Sequence, residues 1–196
     1  TLLLTGRDAE PLSGVVSAVR ERGGDAEAHV ADLSNDAEVA RDAVHARGLW
    51  HRAVHVWVFA PDGRVYVQRR GPDKDINAGC WDVSVGEHLQ PGEDYERAAH
   101  RGLAEELGVT GATLEPLGDV RPVTLERPEL GIRDRELQQA YRAVHAGAVT
   151  PAADEIAAVE LLEPAALAAW MAAEPDAFTP GCRRDVADLD LPGLRC

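Results

Sequence analysis

The sequence has few cysteines and no long apolar run, and each shortage narrows the range of functions. Its three cysteines, Cys80, Cys182 and Cys196, are an odd and widely spaced set, so a disulfide framework is excluded and a reducing, cytoplasmic location is expected. No stretch approaches the ~20 apolar residues of a membrane span. No apolar run of signal length follows a basic start, so neither membrane insertion nor secretion is expected.

Basic residues are also scarce. The chain carries 34 Asp and Glu against 20 Lys and Arg, a formal net charge of −14, and its single lysine is Lys74. Binding to the phosphate backbone needs an excess of cations, so a nucleic-acid partner is not expected. Such a surface would repel a phosphate-bearing substrate unless a metal ion intervened.

The first 36 of the 196 residues follow a different pattern from the rest. Thr1–Thr5 and His29–Ala31 have the character of short strands, and apolar residues at helical spacing after each of them predict two helices, the order of a parallel α/β unit. This segment resembles the middle of a short-chain dehydrogenase/reductase. The glycine-rich turn of that family does not precede it and no Tyr-x-x-x-Lys pair follows. We therefore expect residues 1–38 to form a short βαβα-like extension without dehydrogenase activity.

Residues 39–196 predict a second unit built on a mixed sheet covered on both faces. Ala53–Phe59 and Arg64–Arg69 flank a Pro-Asp-Gly turn and form a β-hairpin. Asp94–Leu107 is an amphipathic helix closed by Gly108. Further strands are expected at Trp81–Val85, Leu137–His145 and Ile156–Leu162, and a further helix at Pro164–Ala173. The fold class is therefore α/β.

The segment Gly86–Val109, GEHLQPGEDYERAAHRGLAEELGV, carries the candidate chemistry. A glycine-containing turn leads into the helix, and Glu105 and Glu106 lie near the helix end, one turn after Arg101. Residues three and four apart are neighbours on a helix, so positions 102, 105 and 106 are expected on one face. Two adjacent carboxylates beside a glycine loop form a hard-oxygen site suited to Mg²⁺ or Mn²⁺. Such an ion would allow an acidic protein to bind a diphosphate.

This segment resembles the Nudix box, G-x5-E-x7-R-E-U-x-E-E-x-G-U, in which U is a large aliphatic residue. The matching residues are Glu93, Arg101, Leu103, Glu105, Glu106, Gly108 and Val109. The resemblance, which extends over roughly residues 41–190, implies a Nudix α/β/α sandwich in which Glu105 and Glu106 bind the metal while Glu93 and Arg101 pin the loop to the helix. The implied activity is hydrolysis of a diphosphate linkage in a nucleoside diphosphate derivative or a related organic diphosphate.

Two positions depart from the box. Its opening glycine aligns with Glu87, with Gly86 just before it, and the Glu that follows the arginine is replaced by Gly102. In many hydrolases of the family that Glu is a metal ligand or the base that activates water. We therefore expect another acid to act as the base, with Glu87 and Glu136 as candidates. Glu136 is also a candidate metal ligand, and Asp134 points to the same side of the predicted strand.

The wider sequence resembles a branch of the family that includes isopentenyl-diphosphate isomerase, and this branch supplies the main alternative. By that resemblance the metal ligands of the isomerase match His51, His88, Glu106, Asp134 and Glu136. A further N-terminal histidine of the isomerase falls at Val44, with His45 one position off. Its catalytic cysteine falls at Gly86, so one of the two proton-transfer partners is absent. His51 and His88 are left open between metal ligands and structural histidines. A third alternative, a Nudix module that binds without turnover, follows from Gly102.

Three further side chains are candidates for binding substrate. Arg69 and Arg70 follow a strand and are placed to clamp a phosphate, and His88 is grouped with them. His55 alternates with apolar residues and is expected to be structural. The expected partner is a small-molecule diphosphate. A homodimer, the group attached to the diphosphate and the role of residues 1–38 are left open.

Overall fold

The computed structural model describes residues 2–6, 26–30, 48–74, 76–90, 92–127 and 132–191. The chain divides into two compact units, the first formed by 1–50, 90–93 and 124–135 and the second by 51–89, 94–123 and 136–196. In the first unit, strands β1 (Leu2–Gly6) and β2 (Ala26–Val30) pair in parallel, which confirms the predicted strand pair. The two helices predicted around β2 lie outside the described residues.

The main sheet contains eight strands among the residues described. They are β3 (Trp50–Phe59), β4 (Val65–Arg70), β5 (Trp81–Asp82), β6 (Val85–His88), β7 (Leu114–Pro116), β8 (Arg121–Arg127), β9 (Ile132–Val144) and β10 (Ile156–Leu162). The central order is β10-β4-β3-β9-β7, while β5, β6 and β8 pair with β4, β3 and β9 respectively. The predicted α/β class with a mixed sheet is confirmed.

The strands differ from the prediction in three places. The single strand predicted at Trp81–Val85 is divided into β5 and β6, because the chain passes from one neighbouring strand to another. Buried Ser84 marks the division, and its hydroxyl donates to the Tyr66 carbonyl and accepts from the Val58 amide. The strand predicted at Leu137 begins five residues earlier. Strands β7 and β8 were not predicted, since most of their residues are exposed or half-buried.

Three helices complete the second unit as described, namely α1 (Tyr95–Leu107), α2 (Pro164–Ala173) and α3 (Pro180–Asp188), with a 3-10 turn at Pro175–Ala177. Helix α1 begins where the sequence predicts, because the Asp94 carboxylate accepts from the Arg97 amide at 2.8 Å. It ends at Gly108, whose φ of 66° is left-handed and favours glycine. Within the described ranges no helix combines the length and apolar character needed to cross a membrane.

The residues of β3 divide between two apolar clusters. Val54, Val56 and Val58 pack with residues of α1, whereas Trp57 and Phe59 pack with residues of α2 and α3. This division follows from the pleat of a strand, in which successive side chains point to opposite faces. We call the two sides of the sheet the α1 face and the α3 face.

Gly102 lies where α1 packs against β6. A Cβ atom at this position would be 2.7 Å from Cγ1 of Val85 and 3.3 Å from Cβ of Glu87. The box has a glycine in place of its usual glutamate at position 102 and a glutamate in place of its usual glycine at position 87. These two positions are therefore in contact in the structure. The two departures are linked, because the side chains of Val85 and Glu87 fill the room that a side chain at 102 would need.

Replacing Gly102 with alanine tests this packing. Helix propensity alone would raise the free energy of unfolding by about 1 kcal/mol. We expect it to fall instead, by about 1–3 kcal/mol, because the added methyl group overpacks the contact with Val85. Urea unfolding measures the difference. The exposed Ala104, on the same helix, supplies the control as Ala104→Gly, which reports propensity without packing. A Gly102→Ala protein more stable than the parent would contradict the packing argument.

Candidate metal centre

Two histidines and a glutamate converge on the α3 face. His51 lies near the start of β3, His88 ends β6 and Glu136 lies in β9. The register pairs Ala53 with His88, and directly opposite residues share a face, so His88 is on the same side as His51. Oε1 of Glu136 is 3.4 Å from Nε2 of His88 and 3.8 Å from Nε2 of His51. The two imidazole rings meet edge to face, with centroids 4.5 Å apart.

The charge of Glu136 is stabilised by these neighbours. Its side chain is 12% exposed, and burial by itself would raise its pKa. The hydrogen bond with His88 and the charges of the surrounding histidines outweigh burial and lower the pKa of Glu136 to about 2. The carboxylate is therefore ionised at neutral pH and able to bind a cation.

The donor atoms of His51, His88 and Glu136 fit a divalent ion. All three lie within 4.8 Å of one another. Two ligands of one transition-metal ion, each ~2.1 Å from it, are separated by roughly 3.0–3.4 Å. The 3.4 Å between Oε1 of Glu136 and Nε2 of His88 is therefore already close to the distance between two ligands of one ion. Two imidazoles and a carboxylate are also the protein ligands of catalytic zinc sites that keep a fourth position for water or substrate. The chemistry of this donor set thus suits a catalytic ion.

Glu106 occupies a different, buried environment on the α1 face. Its Oε2 accepts from Nε2 of Gln68 at 2.7 Å, and the residue is 6% exposed. Burial, together with the nearby carboxylates of Glu87, Glu155 and Asp82, raises the pKa of Glu106 to about 8, although the bond from Gln68 acts in the opposite direction. In the absence of a cation, Glu106 therefore holds its proton at neutral pH.

Arg101 links α1 to β6. Its Nη1 lies 2.8 Å from the Glu87 carboxylate and 3.1 Å from the Glu105 carboxylate, and its Nη2 donates to the His88 carbonyl at 2.8 Å. The Glu105 side chain is 59% exposed, whereas positions 102 and 106 are buried. Glu105 is therefore at the exposed margin of the set 102, 105 and 106, and its role as a metal ligand stays a prediction.

Three other residues predicted from the sequence, Glu93, Arg69 and Arg70, are not among the three side chains of the candidate metal centre. The Glu93 carboxylate accepts from the Gln90 amide at 2.8 Å within the loop before α1. Arg69 is exposed, and its Nε donates to a backbone carbonyl of the following loop. Arg70 is less available to a phosphate, because its guanidinium lies 3.1 Å from the Asp82 carboxylate.

His55, expected to be structural, belongs to a polar network that the sequence analysis missed. Its Nδ1 is 2.7 Å from Oδ2 of the fully buried Asp185, which also accepts from Nε1 of Trp57 at 3.1 Å and pairs with Arg121. Burial by itself raises the pKa of Asp185, but His55 and Arg121 outweigh it and lower that pKa. The period of two along β3 places His55 on the face of His51, so this signal was present. The sequence contains no comparable signal for Asp185, since it lies 130 residues from His55 along the chain.

Sequence comparisons connect the chain with known proteins. The NUDIX domain profile matches residues 49–182. An uncharacterized Nudix hydrolase of Streptomyces coelicolor is 35% identical over 128 residues, which are 61% of this chain and 64% of that protein. The isopentenyl-diphosphate Delta-isomerase of Burkholderia multivorans is 33% identical over 150 residues, 76% of this chain and 84% of the isomerase. The chain thus spans slightly less than two thirds of the first relative.

Solved structures share the fold. A Deinococcus radiodurans protein is 26% identical to this chain, with a TM-score of 0.58. The match covers 71% of this chain and 82% of that protein's chain. A MutT protein from Methanosarcina mazei is 18% identical with the same TM-score of 0.58, covering 74% and 96% respectively. These likenesses confirm the predicted fold. The resemblance of the N-terminal segment to a dehydrogenase receives no support, and the profile match begins after it, at residue 49.

The raised pKa of Glu106 predicts a pH-dependent stability in metal-free buffer. The folded chain keeps the proton up to a pH of about 8, whereas the unfolded chain releases it near 4.5. Folded protein therefore binds the extra proton between these values, and the free energy of unfolding falls as pH rises through this window, by at most about 1.4 kcal/mol per pH unit. Glu106→Gln should remove this component from urea unfolding measured with a chelator.

Glu105→Gln is the matched control, because it alters the adjacent but exposed carboxylate. It should leave the dependence on pH as in the parent. An unchanged dependence in Glu106→Gln would show that Glu106 is ionised in the folded, metal-free protein.

Proposed function

We propose that this chain, which belongs to the Nudix family, catalyses metal-dependent hydrolysis of a diphosphate linkage. The substrate would be a nucleoside diphosphate derivative or a related organic diphosphate. The observation that supports it most is the convergence of His51, His88 and Glu136 on one face of the sheet. A divalent ion held there also answers the charge problem, since a protein with a net charge of −14 needs a cation to accept a diphosphate.

We assign the ion to His51, His88 and Glu136. Imidazole ligands suit Mn²⁺ or a later transition metal better than Mg²⁺, which prefers oxygen. When bound, the ion supplies charge compensation for the diphosphate and lowers the pKa of water. The Nudix resemblance implies that Glu105 and Glu106 also bind a divalent ion, and the exposure of the Glu105 carboxylate is compatible with this.

The candidate bases differ in their proton affinity. Glu136, with a pKa of about 2, is suited to a ligand and poorly suited to accepting a proton at neutral pH. Glu87 is ion-paired with Arg101. Burial and the neighbouring carboxylates raise the pKa of Glu106 to about 8, which is closer to neutrality than the pKa of Glu136. Glu87 and Glu106 lie on the α1 face, on the other side of the sheet from the ion, so the identity of the base stays open. Glu87 and Arg101 hold the helix against β6.

The substrate contacts follow from exposure and charge. Arg69 is exposed and available to a phosphate, whereas Arg70 must share its charge with Asp82. The partner of the site is a small-molecule diphosphate. The homodimer and the cytoplasmic location stay predictions.

A phosphate-release panel with Mg²⁺ or Mn²⁺ tests the proposal. It holds nucleoside diphosphate derivatives, nucleoside triphosphates and isoprenoid diphosphates, and the best substrate defines the class. Glu136→Gln should lower kcat at least ~100-fold, because it removes the charged member of the ligand set. Glu160→Gln, which alters an exposed glutamate on β10, is the control and should leave kcat unchanged. Full activity in Glu136→Gln would contradict the assignment.

The same three residues favour a second candidate, an isomerase acting on isopentenyl diphosphate. They coincide with ligands that the isomerase resemblance implies, and a relative of that name is matched over 84% of its length. Against it stands Gly86, which offers no acid or base. The nearest side chains to a Cβ atom at this position would be His55 and Val83, both at 3.7 Å.

Deuterium exchange separates the two candidates. In D₂O with Mn²⁺, the proposed hydrolase should release phosphate from a diphosphate of the panel and leave the carbon-bound hydrogens of isopentenyl diphosphate unexchanged, because Gly86 cannot transfer a proton. Mass spectrometry of the recovered isopentenyl diphosphate measures this. Deuterium incorporation at a rate exceeding phosphate release would establish the isomerase instead.

A further inference from the structure

The geometry points to Gln138 as the residue that positions Glu136 for the metal, and to Asp185, Arg121 and His55 as the group that fixes the Gln138 amide. Gln138 is two residues after Glu136 on β9, and both side chains therefore lie on the α3 face. This inference rests on the proposed function, since it concerns how the same site binds its ion.

Gln138 donates a hydrogen bond to one oxygen of the Glu136 carboxylate. Its Nε2 donates to Oε2 of Glu136 at 3.2 Å, while Oε1 of Glu136 is the atom that faces His88 and His51. The two oxygens thus have separate tasks, one bound to the protein and the other directed at the ion. Groups that hydrogen-bond a ligating carboxylate in this way set its orientation and tune the affinity of the site.

The orientation of the Gln138 amide is itself determined. Nη2 of Arg121 donates to Oε1 of Gln138 at 2.9 Å, which places the amide nitrogen toward Glu136. If the amide turned over, its oxygen would face the Glu136 carboxylate and its nitrogen would face the guanidinium, and both contacts would be repulsive. Gln138 is 1% exposed, so water cannot replace either partner freely.

His55 and Asp185 complete the network. Nε2 of His55 lies 3.1 Å from Nε2 of Gln138, and Nδ1 of His55 lies 2.7 Å from Oδ2 of Asp185. Asp185 is the common anchor, because it binds both His55 and Arg121. The series Asp185, His55, Gln138, Glu136 therefore connects α3 to the metal centre through three successive contacts.

Co²⁺ binding, followed by visible absorption, tests the positioning role. Gln138→Met keeps a side chain of similar length without the amide, and we expect the Kd for Co²⁺ to rise about 10–100-fold, the usual effect of losing such a partner. Gln139→Met is the control. Gln139 is the adjacent residue and is also buried, but its amide donates to the carbonyls of Gly118 and Ala140 and not to the site. Its Kd for Co²⁺ should stay at the parental value.

A second variant keeps the test decisive if Gln138→Met does not fold. Arg121→Met removes the donor that orients the amide, at a side chain that is 22% exposed. It should raise the Kd for Co²⁺ several-fold, and in a foldable Gln138→Met background it should cause no further increase, because both act through one amide.

The outcomes separate this inference from the proposed function. A parent protein that binds no Co²⁺ would overturn the proposed function and, with it, this inference. A parent that binds Co²⁺ with the same Kd as Gln138→Met, or as Arg121→Met, would overturn the positioning role alone. Equal weakening in Gln138→Met and Gln139→Met would do the same. Selective weakening in Gln138→Met supports it.

Discussion

The antiparallel pairing of β3 with β6 is the constraint on which the rest of the second unit depends. It sets Val54 opposite Glu87 and His55 opposite Gly86. Because directly opposite residues share a face, this register directs Glu87 toward α1 and directs His88 toward the α3 face. A slip by one residue would exchange the two faces, so the hydrogen bonds that align the two strands specify the apolar core and the candidate metal centre together.

The two faces of the sheet give their buried carboxylates different environments. On the α1 face, Glu106 is buried beside other carboxylates and retains its proton, whereas on the α3 face Glu136 is ionised by its histidine neighbours. Carboxylates of one sequence thus acquire opposite proton affinities from their surroundings. The exchange of side chains between positions 87 and 102 belongs to the same arrangement, since Glu87 lies where a side chain at 102 would have to fit.

The sequence predicts the local features well and the long-range contacts poorly. The start and end of α1 follow from Asp94 and Gly108, whose capping roles depend on residues a few positions away. The meeting of His51, His88 and Glu136 depends on strand pairings that no local pattern encodes. The residues alone therefore leave the roles of the histidines open, and only the family resemblance groups the three. Asp185 was missed for the same reason. Its role is apparent only when α3 is packed on the sheet.

The most direct measurement is anomalous diffraction from crystals grown with Mn²⁺. A peak within ligand distance of His51, His88 and Glu136 is the result that this account predicts, because these side chains provide two imidazoles and an ionised carboxylate within 4.8 Å. A peak beside Glu105 and Glu106 with none at the histidines would contradict it. The ion would then belong to the α1 face, and the assignment of Glu136 would be wrong.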